Sequence, residues 1–284
     1  MQTDCSVSVL TPTTPTLKHI ISNGSGRVTG VTSLNNQLFV ARESAQQQIE
    51  VYDTATFTSQ SNISVPGLGT TFGLASCGVN NVLYVTEHVK HLVYRVSLQS
   101  SSNTVTKWSV GKSPLGISVN SANNVLVTCH GDHKIQEYTT NGSLIRNISL
   151  SSAGIINPHY TIQLPSGQLA ISNSREVCVV DNNGALIRKY TNTTGASVPL
   201  STPQGLALVQ NGCALLANPG AHQIVLFNPS FTSARAVSLP SNSALQSPWS
   251  LSFDESRGRL YVGEWNSGRV LVFDNVFNVG NDFQ

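Results

Sequence analysis

The chain has 284 residues, of which 39% are hydrophobic and only 11% charged, with a formal net charge of +2. That length fits one large all-β domain or two average domains, and no stretch has the Ala, Leu, Glu and Lys richness of long helices. Lysines and arginines stand singly except for Arg188 and Lys189, which argues against the clustered basic surface of a nucleic-acid binder, and no apolar run reaches the roughly 18 residues of a membrane-spanning helix.

The start, MQTDCSVSVLTPTTPTL, lacks the charged and then apolar pattern of a secretory leader. The first strand signal is TLKHIIS at 16–22, and from there the strands come in sets. The tripeptides ending at Val40, Val85, Val127, Ile171, Leu216 and Val262 follow one another at spacings of 45, 42, 44, 45 and 46 residues. Each set opens alike, with RVTGVTSL, TFGLAS, SPLGISV, NPHYTIQL, TPQGLAL and SPWSLSF in turn. Third strands such as HKIQEY and HQIVLFN follow a polar loop, and fourth strands such as TVTKWSV, SLIRNISL and ALIRKYT follow in most repeats. Period-two alternation between Asn-Gly and Ser-Gly turns marks antiparallel sheet, and four strands over about 44 residues is the size of a propeller blade. The sixth repeat has three strands, so TLKHIIS is expected to supply its outer strand and to leave no long open edge. The predicted fold is all-β, one six-bladed propeller over 14–276 with tails at 1–13 and 277–284.

Cys5, Cys77, Cys129, Cys178 and Cys213 are odd in number and lack CxxC spacing, so reduced thiols and a cytoplasmic location are expected. Five sequons, at Asn23, Asn62, Asn141, Asn147 and Asn192, point the other way, toward secretion. His91, His133 and His222 each stand two residues before the aliphatic residue that opens a third strand. A shared repeat position predicts a hydrogen bond to a neighbouring loop or blade rather than a metal bond.

HKIQEYTTNGSLIRNISL, HQIVLFN and GRLYVGEWNSGRVLVFD, with the P-x-G-[LI] openings at Pro114 and Pro203, resemble NHL repeats, the six-bladed propellers that end many tripartite-motif proteins. The resemblance covers nearly the whole chain and implies a binding platform for protein or RNA. NPHYTIQL and VTEHVKHLVYRV are also similar to segments that carry zinc histidines in the peptidyl-hydroxyglycine amidating lyases. That pattern maps to His159 and His91, and Trp249 stands where a further histidine belongs.

In a propeller the loop entering each first strand and the loop leaving each second strand open on one face, and loops carry function more often than scaffold does. The candidates there are Arg42, Phe72, Glu87, His130, His159, Arg175, Trp249, Glu264 and Trp265. The expected role is a monomeric, non-catalytic module that needs no cofactor and takes a protein or peptide partner on aromatic and arginine anchors. The alternative is a hydrolase or lyase with calcium or zinc at the channel mouth, ligated by His159, Glu87, Asn173, Asn218 and Glu264. RNA binding is the second alternative. Arg42, Arg175 and Lys112 face Glu43, Glu87 and Glu264, and so near-neutral a face gives little phosphate-driven affinity.

Overall fold

Short β-branched strands joined by tight polar turns pair with their sequence neighbours, and this chain repeats that pairing six times. The computed structural model describes residues 15–22, 26–44, 46–99, 103–191 and 197–277. Its first strand is β1 (Thr16–Ile21). Blade 1 comprises β2 (Val28–Leu34), β3 (Gln37–Arg42), β4 (Gln48–Asp53) and β5 (Ile63–Ser64). Blade 2 comprises β6 (Thr71–Cys77), β7 (Val82–Glu87), β8 (Leu92–Ser97) and β9 (Thr104–Ser109). Blade 3 comprises β10 (Pro114–Val119), β11 (Val125–Cys129), β12 (Lys134–Tyr138) and β13 (Leu144–Ser149). Blade 4 comprises β14 (Tyr160–Gln163), β15 (Leu169–Asn173), β16 (Glu176–Val180) and β17 (Leu186–Thr191). Blade 5 comprises β18 (Leu206–Leu208), β19 (Ala214–Asn218), β20 (Gln223–Phe227) and β21 (Ala234–Ala236). Blade 6 comprises β22 (Pro248–Asp254), β23 (Arg259–Glu264) and β24 (Val270–Asp274), with β1 as its outer strand.

The ring closes as the sequence predicts. β1 lies antiparallel to β24, Thr16 opposite Asp274 and Ile21 opposite Val270. The core is divided among six apolar clusters, one between each pair of neighbouring blades. Second strands such as VLYVTE in β7 are buried along their whole length, whereas outer strands such as β17 keep one buried residue, Tyr190. Each blade therefore packs through both of its faces, and stability is a sum over neighbour contacts. Phe277, which the sequence placed in the tail, is buried and packs edge-on against Phe253 at 5.6 Å. Residues 1–13 and 278–284 lie outside the described residues.

The P-x-G signature records close backbone approach. Gly116 donates its N–H to the His159 carbonyl at 2.8 Å, and Gly205 donates to the Trp249 carbonyl at 2.9 Å. A Cβ on Gly116 would lie 2.7 Å from the His159 oxygen and 2.6 Å from the Tyr160 ring. Gly116→Ala is therefore expected to lower stability by about 1–3 kcal/mol in denaturant titration. Gly78→Ala, whose Cβ would meet only Leu34 at 3.5 Å, serves as the near-neutral control. An unchanged midpoint for Gly116→Ala would contradict the packing argument.

Cys77, Cys129 and Cys178 are free and buried, and Cys213 is buried as well. Burial pushes the Cys129 and Cys178 thiols up to about 12, so neither supplies a reactive thiolate. Of the sequon asparagines, Asn62, Asn141 and Asn147 are exposed, and Asn23 and Asn192 lie outside the described residues. No helix among the described residues is long and apolar enough to cross a membrane.

Candidate functional site

The upper face carries the loops that enter the first strands and those that leave the second strands. Its three repeated histidines each adopt a left-handed backbone, with φ of 56° at His91, 51° at His133 and 53° at His222. Each Nδ1 accepts a backbone N–H from the loop entering the next blade in that face: Ser113 at 3.0 Å, Asn157 at 3.1 Å and Ser247 at 2.9 Å. The repeat position thus serves as an interblade strut, with Nδ1 as the acceptor at His133 and His222, while His91 Nδ1 lies between the Ser113 N–H and the His88 carbonyl at 2.9 Å.

A second repeat position, the last residue of each second strand, holds most of the charged and amide candidates. All of these side chains are buried and turned onto neighbouring loops, those of their own blade and, for Arg42, one of blade 6 as well. Arg42 pairs with Glu50 (Nε to Oε1 2.6 Å, Nη2 to Oε2 3.1 Å) and donates Nη1 to the carbonyls of Gly26 and Gly268 at 2.8 Å each. Glu87 accepts the N–H groups of Thr70 at 3.1 Å and Lys90 at 2.5 Å. Glu264 accepts from Gln246 N at 2.5 Å, from Arg269 at 2.8 Å and from the Ser267 hydroxyl. Asn218 accepts from Ser201 N at 2.6 Å and donates to the Pro199 carbonyl at 3.0 Å, while Asn173 donates to Glu176 at 3.0 Å. In blade 3 the residue at this position is Cys129, and Gln136 takes the bond from Gly111 N at 2.6 Å instead.

These latches do not converge on the channel. Among the described residues no three His, Cys, Asp or Glu side chains gather as a metal site would require. The carboxylates of Glu87 and Glu264 are spent on backbone and side-chain donors. Arg42, expected as an exposed anchor, is an internal clamp, and Arg175 is exposed on the loop leaving β15.

What the structure does bring together is aromatic. Phe72 and Trp249 occupy equivalent places just inside their first strands, and the strand register slips there, between Thr71 and Gly73 and between Pro248 and Ser250. A bulge of this kind re-aims a side chain at a sheet end. Blade 1 has the small, buried Thr29 at this place, so rings from blades 2 and 6 meet over it. Trp249 stacks on Trp265 with centroids 4.1 Å apart, and Phe72 lies 5.9 Å from Trp265, 6.3 Å from Trp249 and 4.9 Å from His88. The Arg27 guanidinium sits 4.5 Å from the Trp265 ring centre and pairs with Glu43 at 2.9 Å. On the other side of His88, His130 stacks on His159 with centroids 5.5 Å apart and planes 18° from parallel. All six rings are half-buried and form an arc around the upper mouth.

The arc's histidines differ from the struts in their hydrogen bonding. His159 Nδ1 lies 2.9 Å from the Pro203 carbonyl and His130 Nδ1 lies 3.3 Å from the Pro158 carbonyl. A carbonyl only accepts, so both donate from Nδ1 and keep Nε2 as a lone pair when neutral. Burial is the largest influence on each and holds both below the usual histidine value, while the carbonyl contacts oppose the shift.

As pH falls, the unfolded chain takes up these protons before the folded one does. The stability this burial supports is full above about pH 6.5 and is lost as pH drops toward the depressed folded values. Denaturant unfolding between about pH 7.5 and pH 5.5 is expected to show a larger loss for the wild type than for a His130→Gln, His159→Gln double variant. Equal losses would show that other groups control the acid limb.

Sequence reasoning missed Arg27 and underweighted His88. The available signal for His88 was its place one residue past the latch, which it shares with His130 and Trp265.

No protein-family model matches the chain, and no curated protein matches it. Solved structures do match in fold. A streptogramin B lyase aligns over 92% of this chain and 98% of its own with a TM-score of 0.67 at 13% identity. A virginiamycin B lyase from Staphylococcus aureus, in a catalytically inactive form with quinupristin, aligns over 92% and 99% with a TM-score of 0.63 at 11% identity. An auxiliary nutrient binding protein from Bacteroides thetaiotaomicron aligns over 88% of this chain and 69% of its own with a TM-score of 0.69 at 13% identity. At such identities the likeness is one of fold: the chain is a six-bladed β-propeller, an architecture that its neighbours use both for lyase chemistry and for binding.

Proposed function

We propose that the chain is an NHL-type propeller acting as a non-catalytic recognition module, which takes a protein or peptide partner on the aromatic arc of its upper face. The observation that carries this reading is the arc itself. Half-buried Phe72, His88, His130, His159, Trp249 and Trp265 lie together while the charged side chains around them are already paired. Interface cores are rich in aromatic residues and poor in unpaired charge, and a ring already fixed by its neighbours loses little rotamer freedom on binding. Arg27 and Arg175 stand at the edge as polar contacts. The P-x-G-[LI] openings support the NHL assignment, and the buried thiols support a reducing compartment. The internal pairing of Arg42 weakens the RNA reading further.

A random-peptide display selection on the immobilised protein tests the proposal. Enrichment of ligands with aromatic or proline anchors and little net charge is expected. Enrichment of none, or only of polybasic or polyacidic sequences that bind by charge, would contradict it.

A second reading rests on the His130–His159 pair together with the lyase neighbours. Two neutral imidazoles at a channel mouth, each held by a backbone carbonyl at Nδ1, are suited to general-base work near neutral pH. If that reading holds, a screen of lactone and ester substrates would find turnover that His159→Gln abolishes while leaving the fold intact. Turnover unaffected by His159→Gln would exclude it.

A further inference from the structure

A cavity lies below the arc and opens on the opposite face. It has a volume of about 630 Å³ and is walled by the first strands of all six blades, from Val31 and Thr32 in β2 to Leu251, Ser252 and Phe253 in β22. The upper-mouth residues Phe72, Leu115, His159, Gln204 and Trp249 are not part of its wall, and the cavity is reached between Asn120, Ser121, Gln163, Pro165 and Phe253. Small side chains make the room: Ala75, Ser76, Ser118, Ala207 and Ser252 stand where larger ones would fill the channel.

No Asp, Glu, Lys, Arg or His contributes to the wall. A charged guest would surrender its hydration there without a counter-charge. Most of the wall's polar groups are satisfied internally. The Thr32 and Ser76 hydroxyls bond each other at 2.8 Å, Ser118 donates to the Thr161 carbonyl at 2.7 Å, and Asn120 donates to Glu137 at 2.8 Å. Two groups remain. Gln163 Oε1 accepts both Ser121 N at 3.1 Å and Ser121 Oγ at 2.9 Å, which fixes the carboxamide and leaves its NH₂ unused. The Ser252 hydroxyl, across blade 5 from it, bonds no described residue.

We propose that this cavity is a second binding site, distinct from the aromatic arc, for an uncharged small molecule that combines apolar surface with a hydrogen-bond acceptor for Gln163. Its volume lies within the range of small-molecule pockets, and its wall mixes apolar side chains with uncharged polar ones such as Ser118, Asn120 and Gln163.

A pair of probes tests the site. N-phenyl-1-naphthylamine is neutral, and 8-anilino-1-naphthalenesulfonate has the same rings with a negative charge. The neutral probe is expected to saturate at one per chain and the sulfonate to bind about tenfold more weakly. Leu208→Trp, which fills the cavity, should weaken the neutral probe by about tenfold or more, while Trp249→Ala on the other face should leave it unchanged. Ser252→Phe fills the same space without removing a hydrogen bond, and it gives the reading if Leu208→Trp does not fold. The proposal is overturned if the neutral probe fails to bind, if neither filling variant weakens it, if the sulfonate binds as tightly, or if Trp249→Ala abolishes binding. The peptide selection on the upper face stands or falls independently of these outcomes.

Discussion

Deleting residues 1–21 is expected to abolish cooperative thermal unfolding of the propeller. Those residues include β1, the outer strand of blade 6, whose Ile21 is 2% exposed and sits in the cluster between blades 6 and 1. Losing that burial and the ladder to β24 removes on the order of 5 kcal/mol, a large share of the roughly 5–15 kcal/mol of an ordinary domain. It also bares the β24 edge, which invites strand-to-strand aggregation. A synthetic peptide spanning residues 15–22, added in trans, should restore the transition, because the site it fills is formed by β24 and blade 1. An unchanged melting temperature after the deletion would mean that the ring does not depend on this closure.

The second large effect is expected from Arg42→Ala. Its guanidinium is 5% exposed and its partner Glu50 16% exposed, and the Tyr52 hydroxyl also donates to Glu50 at 3.0 Å. Removing the arginine strands a mostly buried carboxylate and leaves the Gly26 and Gly268 carbonyls without their donor. The expected cost is about 3–5 kcal/mol. Arg42→Lys should recover little, since an ammonium cannot reproduce the forked contact. Adding Glu50→Gln to Arg42→Ala should recover part of the loss by removing the uncompensated charge. If Arg42→Ala instead keeps its stability, the side chain is free for a partner, as the sequence first suggested.

The architecture was legible because propeller blades repeat in the chain as they repeat in space. Tripeptide spacing located the second strands, and the missing fourth strand of the last repeat located the closure by β1. The same logic identified the histidine struts, since residues at one repeat position share one structural task. It was not applied to Arg42, Glu87, Asn173, Asn218 and Glu264, which also share a position. Their varied chemistry resembles a binding surface in sequence, yet each one satisfies groups of the blades' own loops, Arg42 reaching Gly268 of blade 6 as well as Gly26 and Glu50 of blade 1, and those groups differ from blade to blade. Phe72, Trp249 and Trp265 stood out in the sequence because they place large rings at loop positions where other repeats carry different side chains, such as Leu115, Gln204 and Pro219. The partnership of Arg27 with Trp265 was not, because it joins the loop entering blade 1 to blade 6 across the ring closure. The lower cavity was hidden for another reason. Its signal is the smallness of inner-strand residues, which reads simply as tight packing until the six strands are set around a common axis.

The central claim is that the aromatic arc holds the partner. Its most direct test is the affinity of a display-selected peptide for wild type against Phe72→Ala, measured by calorimetry with the Tm of each protein checked. Phe72 contacts His88, Trp249 and Trp265 and carries no structural hydrogen bond, so its truncation should weaken binding by tenfold or more, about 1.4 kcal/mol, while the Tm stays nearly constant. Unchanged affinity for Phe72→Ala would place the partner elsewhere on the ring and contradict the account.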